Sequence, residues 1–230
     1  MEKSVILFDF LKRKYLELLI ISVPFFLITG PFLPDLIVSL VSLIFLYKII
    51  KYKKYEYVFN ILSILFFLWY FYLLISSFIS ENTLLSLSSS LFYFRFGLFS
   101  LAIYFVLVNN STKFSIYFFL SIVFTQTFVA YNGIIQYFFD IDLLGNAAIV
   151  PVDGDGHTFE EPYKRISGVF RDELIMGSFL SRTYPISLFL FLFLKIKDNF
   201  LNCLFGISSV LIFFAIIISG ERIALFNIFF

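Results

Sequence analysis

The chain has 230 residues, 60% hydrophobic and only 14% charged, with a formal net charge of +1 and a mean hydropathy of +0.96. Soluble globular domains carry about 25% charged and about 45–50% apolar residues, so this composition excludes a water-soluble fold and indicates a polytopic membrane protein, with the lipid bilayer as its first partner. Cys203 is the only cysteine, which excludes a disulfide framework or a cysteine-built metal site within the chain, and no nucleic acid is expected as a partner.

Residues 1–17 carry Lys3, Lys12, Arg13 and Lys14 ahead of an apolar run, but no small-residue cleavage site follows. A retained first helix is therefore expected rather than a removed signal. A membrane-spanning helix needs about 20 mostly apolar residues. The first candidate covers 15–29, with Pro24 inside and Gly30-Pro31 closing it; the second covers 36–50 and the third 58–79, which holds Trp69. The serine-rich stretch 80–90, with Glu81 as its one charge, is expected as a short amphipathic segment at the interface. A fourth helix over 91–108 contains Arg95, and a fifth over 114–139 carries Thr125, Gln126, Thr127, Asn132 and Gln136. Gln126 and Gln136 stand about three helical turns apart and so near one face. Such amides usually hydrogen-bond across helices.

Residues 140–173 form the only long polar loop, with Asp140, Asp142, Asp153, Asp155, His157, Glu160 and Glu161. Helices are then expected over 174–194 and 200–218. After Ser219-Gly220-Glu221-Arg222 an apolar run begins at Ile223 and stops at Phe230; eight helical residues span about 12 Å, short of a bilayer. The expectation is an all-α bundle of seven complete helices plus a truncated eighth. It forms a single transmembrane domain over 1–230, incomplete at its C-terminus, and the chain reads as the N-terminal part of a longer protein.

Lysine and arginine favour cytoplasmic loops. With the N-terminus inside, the cytoplasmic segments collect eleven of the seventeen basic residues; Arg95, Lys164, Arg165, Arg171, Arg182 and Arg222 fall on or near the outer face. Five of the six arginines thus lie on the disfavoured side. Arginine grips phosphate bidentately where lysine acts as a point charge, so Arg165, Arg171 and Arg222 are candidates to converge on a pyrophosphate or another polyanion. The plainer reading pairs Arg171 with Asp172 or Glu173, pairs Arg222 with Glu221, and lets each arginine snorkel to the interface. Arg182, about two and a half turns into its helix, needs a partner such as Asp172, Glu173 or a neighbouring helix. Asp153-Gly154-Asp155-Gly156 matches part of a calcium loop but lacks the twelve-residue ligand pattern and its closing Glu. His157 has no partner that the sequence fixes for base catalysis.

Four motifs in order carry a resemblance: Gly30-Pro31; Asn132-Gly133-Ile134-Ile135-Gln136-Tyr137 leading to Asp142-Leu143-Leu144-Gly145; Arg165-Ile166-Ser167-Gly168-Val169-Phe170 with Gly177-Ser178-Phe179-Leu180; and Ser219-Gly220-Glu221-Arg222-Ile223-Ala224. With these motifs the chain resembles the O-antigen ligase/polymerase superfamily of bacterial membrane glycosyltransferases. The resemblance implies transfer of a glycan from an undecaprenyl-diphosphate carrier at the periplasmic face of the inner membrane, which makes 140–173 a periplasmic loop. The acceptor is lipid A-core in ligases and a second lipid-linked glycan in polymerases; protein O-oligosaccharyltransferases share the motifs. It implies neither metal nor cofactor. Arg165 and Arg222 take the diphosphate-holding positions and Arg171 adds to them, with Arg182, Glu221, Asp172 and Gln136 as supporting residues. The family's catalytic histidine belongs to a later loop, so His157 does not inherit that role, and the chain by itself is expected to be inactive. The competing class is a non-enzymatic membrane protein, either a scaffold or a transporter of a polyanionic or lipid-linked substrate. Arg95 and Arg182 speak for the transporter, whereas the absence of an internal repeat speaks against it.

Overall fold

The structure is a computed structural model that describes residues 2–109, 112–149, 165–193 and 199–229. The described residues form helices, turns and two isolated β-bridges. They divide into two compact units, Met1–Val23 with Pro31–Ile116, and Pro24–Gly30 with Tyr117–Phe230.

The first unit holds most of α1 (Glu2–Phe26), α2 (Phe32–Tyr52), α3 (Ile61–Ile79), α4 (Thr83–Ser90) and α5 (Phe94–Asn109). Along α2 the buried residues Pro34, Ile37, Val38, Val41, Phe45 and Ile49 recur every three to four positions, the stripe of a helix with one packed face. That face meets α5, where Leu98, Leu101, Ala102 and Val106 are buried. The Ser42 hydroxyl also donates to the Arg95 carbonyl at 2.9 Å.

Helix α3 is built inside out. Its only buried residues are Ser63 and Ser77, while Ile61, Leu62, Leu65, Leu68, Phe71, Ile75, Phe78 and Ile79 are exposed. Asn60 caps its start by accepting from the Ser63 amide at 2.9 Å. An outward face of this kind is stable against hydrocarbon and costly in water. This chain is a membrane protein.

The serine-rich stretch 80–90 contains α4. It is helical, and with one 3₁₀ turn, Leu91–Tyr93, it continues into α5. Ser90 is buried: it donates to the Ser86 carbonyl at 2.9 Å and accepts from Ser77 of α3 at 2.8 Å, whereas Ser88 and Ser89 are exposed. Internal satisfaction of this kind lets serine sit at membrane depth.

Arg95 is held by Asp35 from the first turn of α2, with Nη2 donating to Oδ2 at 2.7 Å. The charge that favoured a transporter therefore has a structural partner, 60 positions away in the chain. Asp35→Asn and Arg95→Gln are each expected to lower the melting temperature in detergent. Combined in a double-mutant cycle they should show a coupling of about 1 kcal/mol; strictly additive losses would mean that the pair contributes nothing.

The second unit holds α6 (Thr112–Phe139, from Tyr117 onward), α7 (Met176–Phe193), α8 (Asn199–Ile218) and α9 (Arg222–Phe229). α7 packs against both α8 and α9. Its core joins Val129, Ala130, Ile166, Val169, Met176, Leu180, Ile212, Ala215, Ile216 and Ala224.

Among the described residues, four helical segments are long and apolar enough to cross a membrane: Phe32–Tyr52, Ile61–Ile79, Thr83–Asn109 and Phe114–Phe139. That is fewer than the seven complete spans expected. A shorter apolar segment of described residues, Asn202–Ile218, lies within α8. Lys164, the Asp153-Gly154-Asp155-Gly156 run, His157, Glu160 and Glu161 lie outside the described residues.

Candidate functional site

The candidate site is assembled at the end of the second unit where α6 finishes and α7 begins. α6 ends at Phe139, and Asp140 takes a left-handed φ of 62°. The chain then turns back sharply around Asp142. The buried Asp142 carboxylate accepts from the Leu144 amide at 2.9 Å, the Asn146 amide at 2.6 Å and the Asn146 side chain at 2.8 Å. This is the local turn chemistry aspartate favours. Short β-bridges pair Ile141 with Ala147 and Ile149 with Arg165.

Gln136 fastens this turn to the second arm of the loop. Its side chain is fully buried, and both ends of the amide are used. Nε2 donates to the carbonyls of Asn146 at 3.2 Å and Ala147 at 3.1 Å. Oε1 accepts from the amides of Ser167 at 3.0 Å and Gly168 at 2.7 Å. The amide expected to join helices instead joins two loop arms to the end of α6. Gly168 suits this place because its φ is 57° and a methyl there would lie 3.0 Å from Met176 Sδ.

Glu221 does the equivalent work for α9. Its buried carboxylate accepts from the Gly177 amide at 2.6 Å and the Ser178 amide at 2.9 Å, and from the Ser178 hydroxyl. These are orphan donors in the first turn of α7, and a negative charge is favoured at that end of the helix dipole. A methyl on Gly177 would overlap the Ser219 side chain, so the absence of one lets the Ser219–Glu221 turn approach. Glu221 therefore holds α7 rather than pairing with Arg222.

The arginines stand on the segments these two side chains fasten. Arg165 opens the arm that Gln136 grips and is partly exposed; Arg171 lies five residues before α7; Arg222 follows Glu221, and both Arg171 and Arg222 are exposed. No carboxylate of a described residue forms an ion pair with any of the three. Asp172 and Glu173 are exposed beside Arg171 without pairing to it. Arg171 has φ 56° and ψ −112°, a conformation costly for a residue with a side chain and concentrated at functional positions. Arg182 is exposed on α7 and makes no ion pair with a described residue, which corrects the expectation that it is paired in place. Its helix carries it outward rather than into the core.

Ser167, named in the sequence only within its motif, has a buried hydroxyl that, like both amide atoms of Asn132, has no hydrogen-bond partner among the described residues. Only Asn132 offered a signal, as a polar residue in an apolar run. Comparison of the chain with protein-family models, curated proteins and solved structures finds no match.

Proposed function

We propose that this chain is an O-antigen ligase-like or polymerase-like membrane glycosyltransferase. It would move a glycan from an undecaprenyl-diphosphate carrier to lipid A-core or to another lipid-linked repeat unit. The observation that carries the reading is the fastening of two arginine-bearing segments, one to the end of α6 and one to the start of α7. Gln136 ties down the Arg165 arm, Glu221 ties down Arg222, and Arg171 lies between, all three without an ion-pair partner among the described residues. In this reading the diphosphate is the leaving group, and guanidinium groups gather the negative charge that develops on it. On the same reading the chain lies in the bacterial inner membrane, with the N-terminus cytoplasmic and the arginines at the periplasmic face. No residue of the sequence is assigned as catalytic base.

The test compares the wild-type protein, expressed from its complete gene, with Arg165→Lys and Arg222→Lys after each is shown to reach the membrane. Two readouts are used: binding of a polyprenyl diphosphate to purified protein in nanodiscs, and glycan transfer in a cell lacking its own ligase and polymerase. Lysine keeps the charge and loses the bidentate grip, so both readouts are expected to fall about 10–100-fold, and the glycan's destination names the acceptor. Wild-type behaviour of both variants would make the arginines interfacial anchors. Diphosphate binding without transfer to any acceptor would favour the transporter.

A further inference from the structure

We infer that the first unit carries a site for an anionic phospholipid, with one acyl chain in a groove between α3 and α5 and the phosphate on the lysines that close α2. The groove encloses about 300 Å³ and is lined by Asn60, Ser63, Phe66, Gly97, Ser100 and Tyr104, among others. On the α3 side it is lined by the buried Ser63 and the half-buried Phe66, together with the exposed Ile61 and Leu62. Its shape depends on Gly97, where a methyl would overlap the Phe66 ring. The size is that of a small-ligand pocket.

One end of the groove leads to positive charge. Tyr104, in its lining, packs edge-on against Tyr57 with centroids 6.4 Å apart, and Lys54 Nζ sits 5.9 Å from the Tyr57 ring. Asn60, also in the lining, donates to the Tyr57 carbonyl at 3.2 Å. Lys51, Lys53 and Lys54 are all exposed here, against Glu56 as the one acid of the segment. Basic clusters beside membrane helices attract anionic headgroups. A zwitterionic lipid also brings a cation, which the lysines repel. The apolar groove and the cationic end are joined through Tyr57 and Asn60, so a molecule with a hydrocarbon chain and an anionic head fits both. This site is built from residues of the first unit alone, and its test needs no transferase activity.

Native mass spectrometry of the full chain would compare phosphatidylglycerol with phosphatidylcholine of the same acyl chains. Wild type is expected to retain phosphatidylglycerol in preference. Lys53→Gln with Lys54→Gln should weaken phosphatidylglycerol roughly tenfold, toward the phosphatidylcholine level. Ser100→Trp, at an exposed position in the lining, should lower retention of both lipids. Equal retention of the two lipids by wild type overturns the inference. So does Ser100→Trp leaving both bound, or a dimer without lipid that Ser100→Trp dissociates, which would make a second copy the occupant. A phosphatidylglycerol with a photoactivatable acyl chain checks the wild type without any variant. It should label peptides covering 61–67 and 97–104, and labelling only elsewhere overturns the inference.

Discussion

Replacing Gln136 by leucine is expected to destabilise the protein by about 3–5 kcal/mol, measured as unfolding in detergent. Leucine fits the buried volume but has no polar atoms. The amides of Ser167 and Gly168 and the carbonyls of Asn146 and Ala147 would each lose a partner that Gln136 supplies. A buried polar group left unsatisfied costs about 1–3 kcal/mol. The sum falls below the simple total because the two loop arms can part from α6 and recover water. That parting has its own signature: residues 140–149 and 165–175 should become open to protease in Gln136→Leu while the helices stay resistant. Gln136→Glu keeps an acceptor for the two amides and loses both donors, so an intermediate loss is expected. A Leu variant within about 0.5 kcal/mol of wild type would mean that the arms are held by something else.

Glu221→Ala is expected to cost about 2–4 kcal/mol. It strips the acceptor from the Gly177 and Ser178 amides and from the Ser178 hydroxyl, and removes a charge that complements the helix end. Glu221→Gln retains one acceptor oxygen but turns an NH₂ group toward a donor, so about half that loss should remain. The change also bears on the proposed function, because Glu221 precedes Arg222 and fixes the turn that presents it. Glu221→Ala should therefore weaken polyprenyl diphosphate binding nearly as much as Arg222→Lys, while Glu221→Gln weakens it less. If Glu221→Ala destabilises the protein but leaves diphosphate binding intact, the anchoring of α9 is structural and Arg222 does not depend on it.

Some of this molecule was legible in its residues. Long apolar runs over α2, α3 and α6 mark helices because only a helix satisfies its own backbone in hydrocarbon, and Gly30-Pro31 marks the turn between the first two. The polar loop was recognisable by its acids, whereas the turn around Asp142 was not read from the sequence, although its chemistry acts within a few residues. Arg95, Gln136 and Glu221 stood out as polar groups in apolar surroundings, which must find partners. Their partners could not be named. Asp35 lies 60 positions from Arg95, Ser167 lies 31 from Gln136, and Gly177 lies 44 from Glu221.

The last two partners are backbone amides, which every residue except proline possesses, so no residue type announces them. Pairing Glu221 with the adjacent Arg222 was the natural local reading, yet the carboxylate gains more from several orphan amides at a helix start than from one solvated guanidinium. Ser90 shows the same limit: the sequence placed it in a polar stretch, and Ser77 of the neighbouring helix makes it internal. Composition and periodicity determined that the chain is helical and lives in a membrane, because those properties sum over many residues. Which polar group holds which segment was decided only by tertiary structure, because it depends on where distant stretches of backbone come to lie.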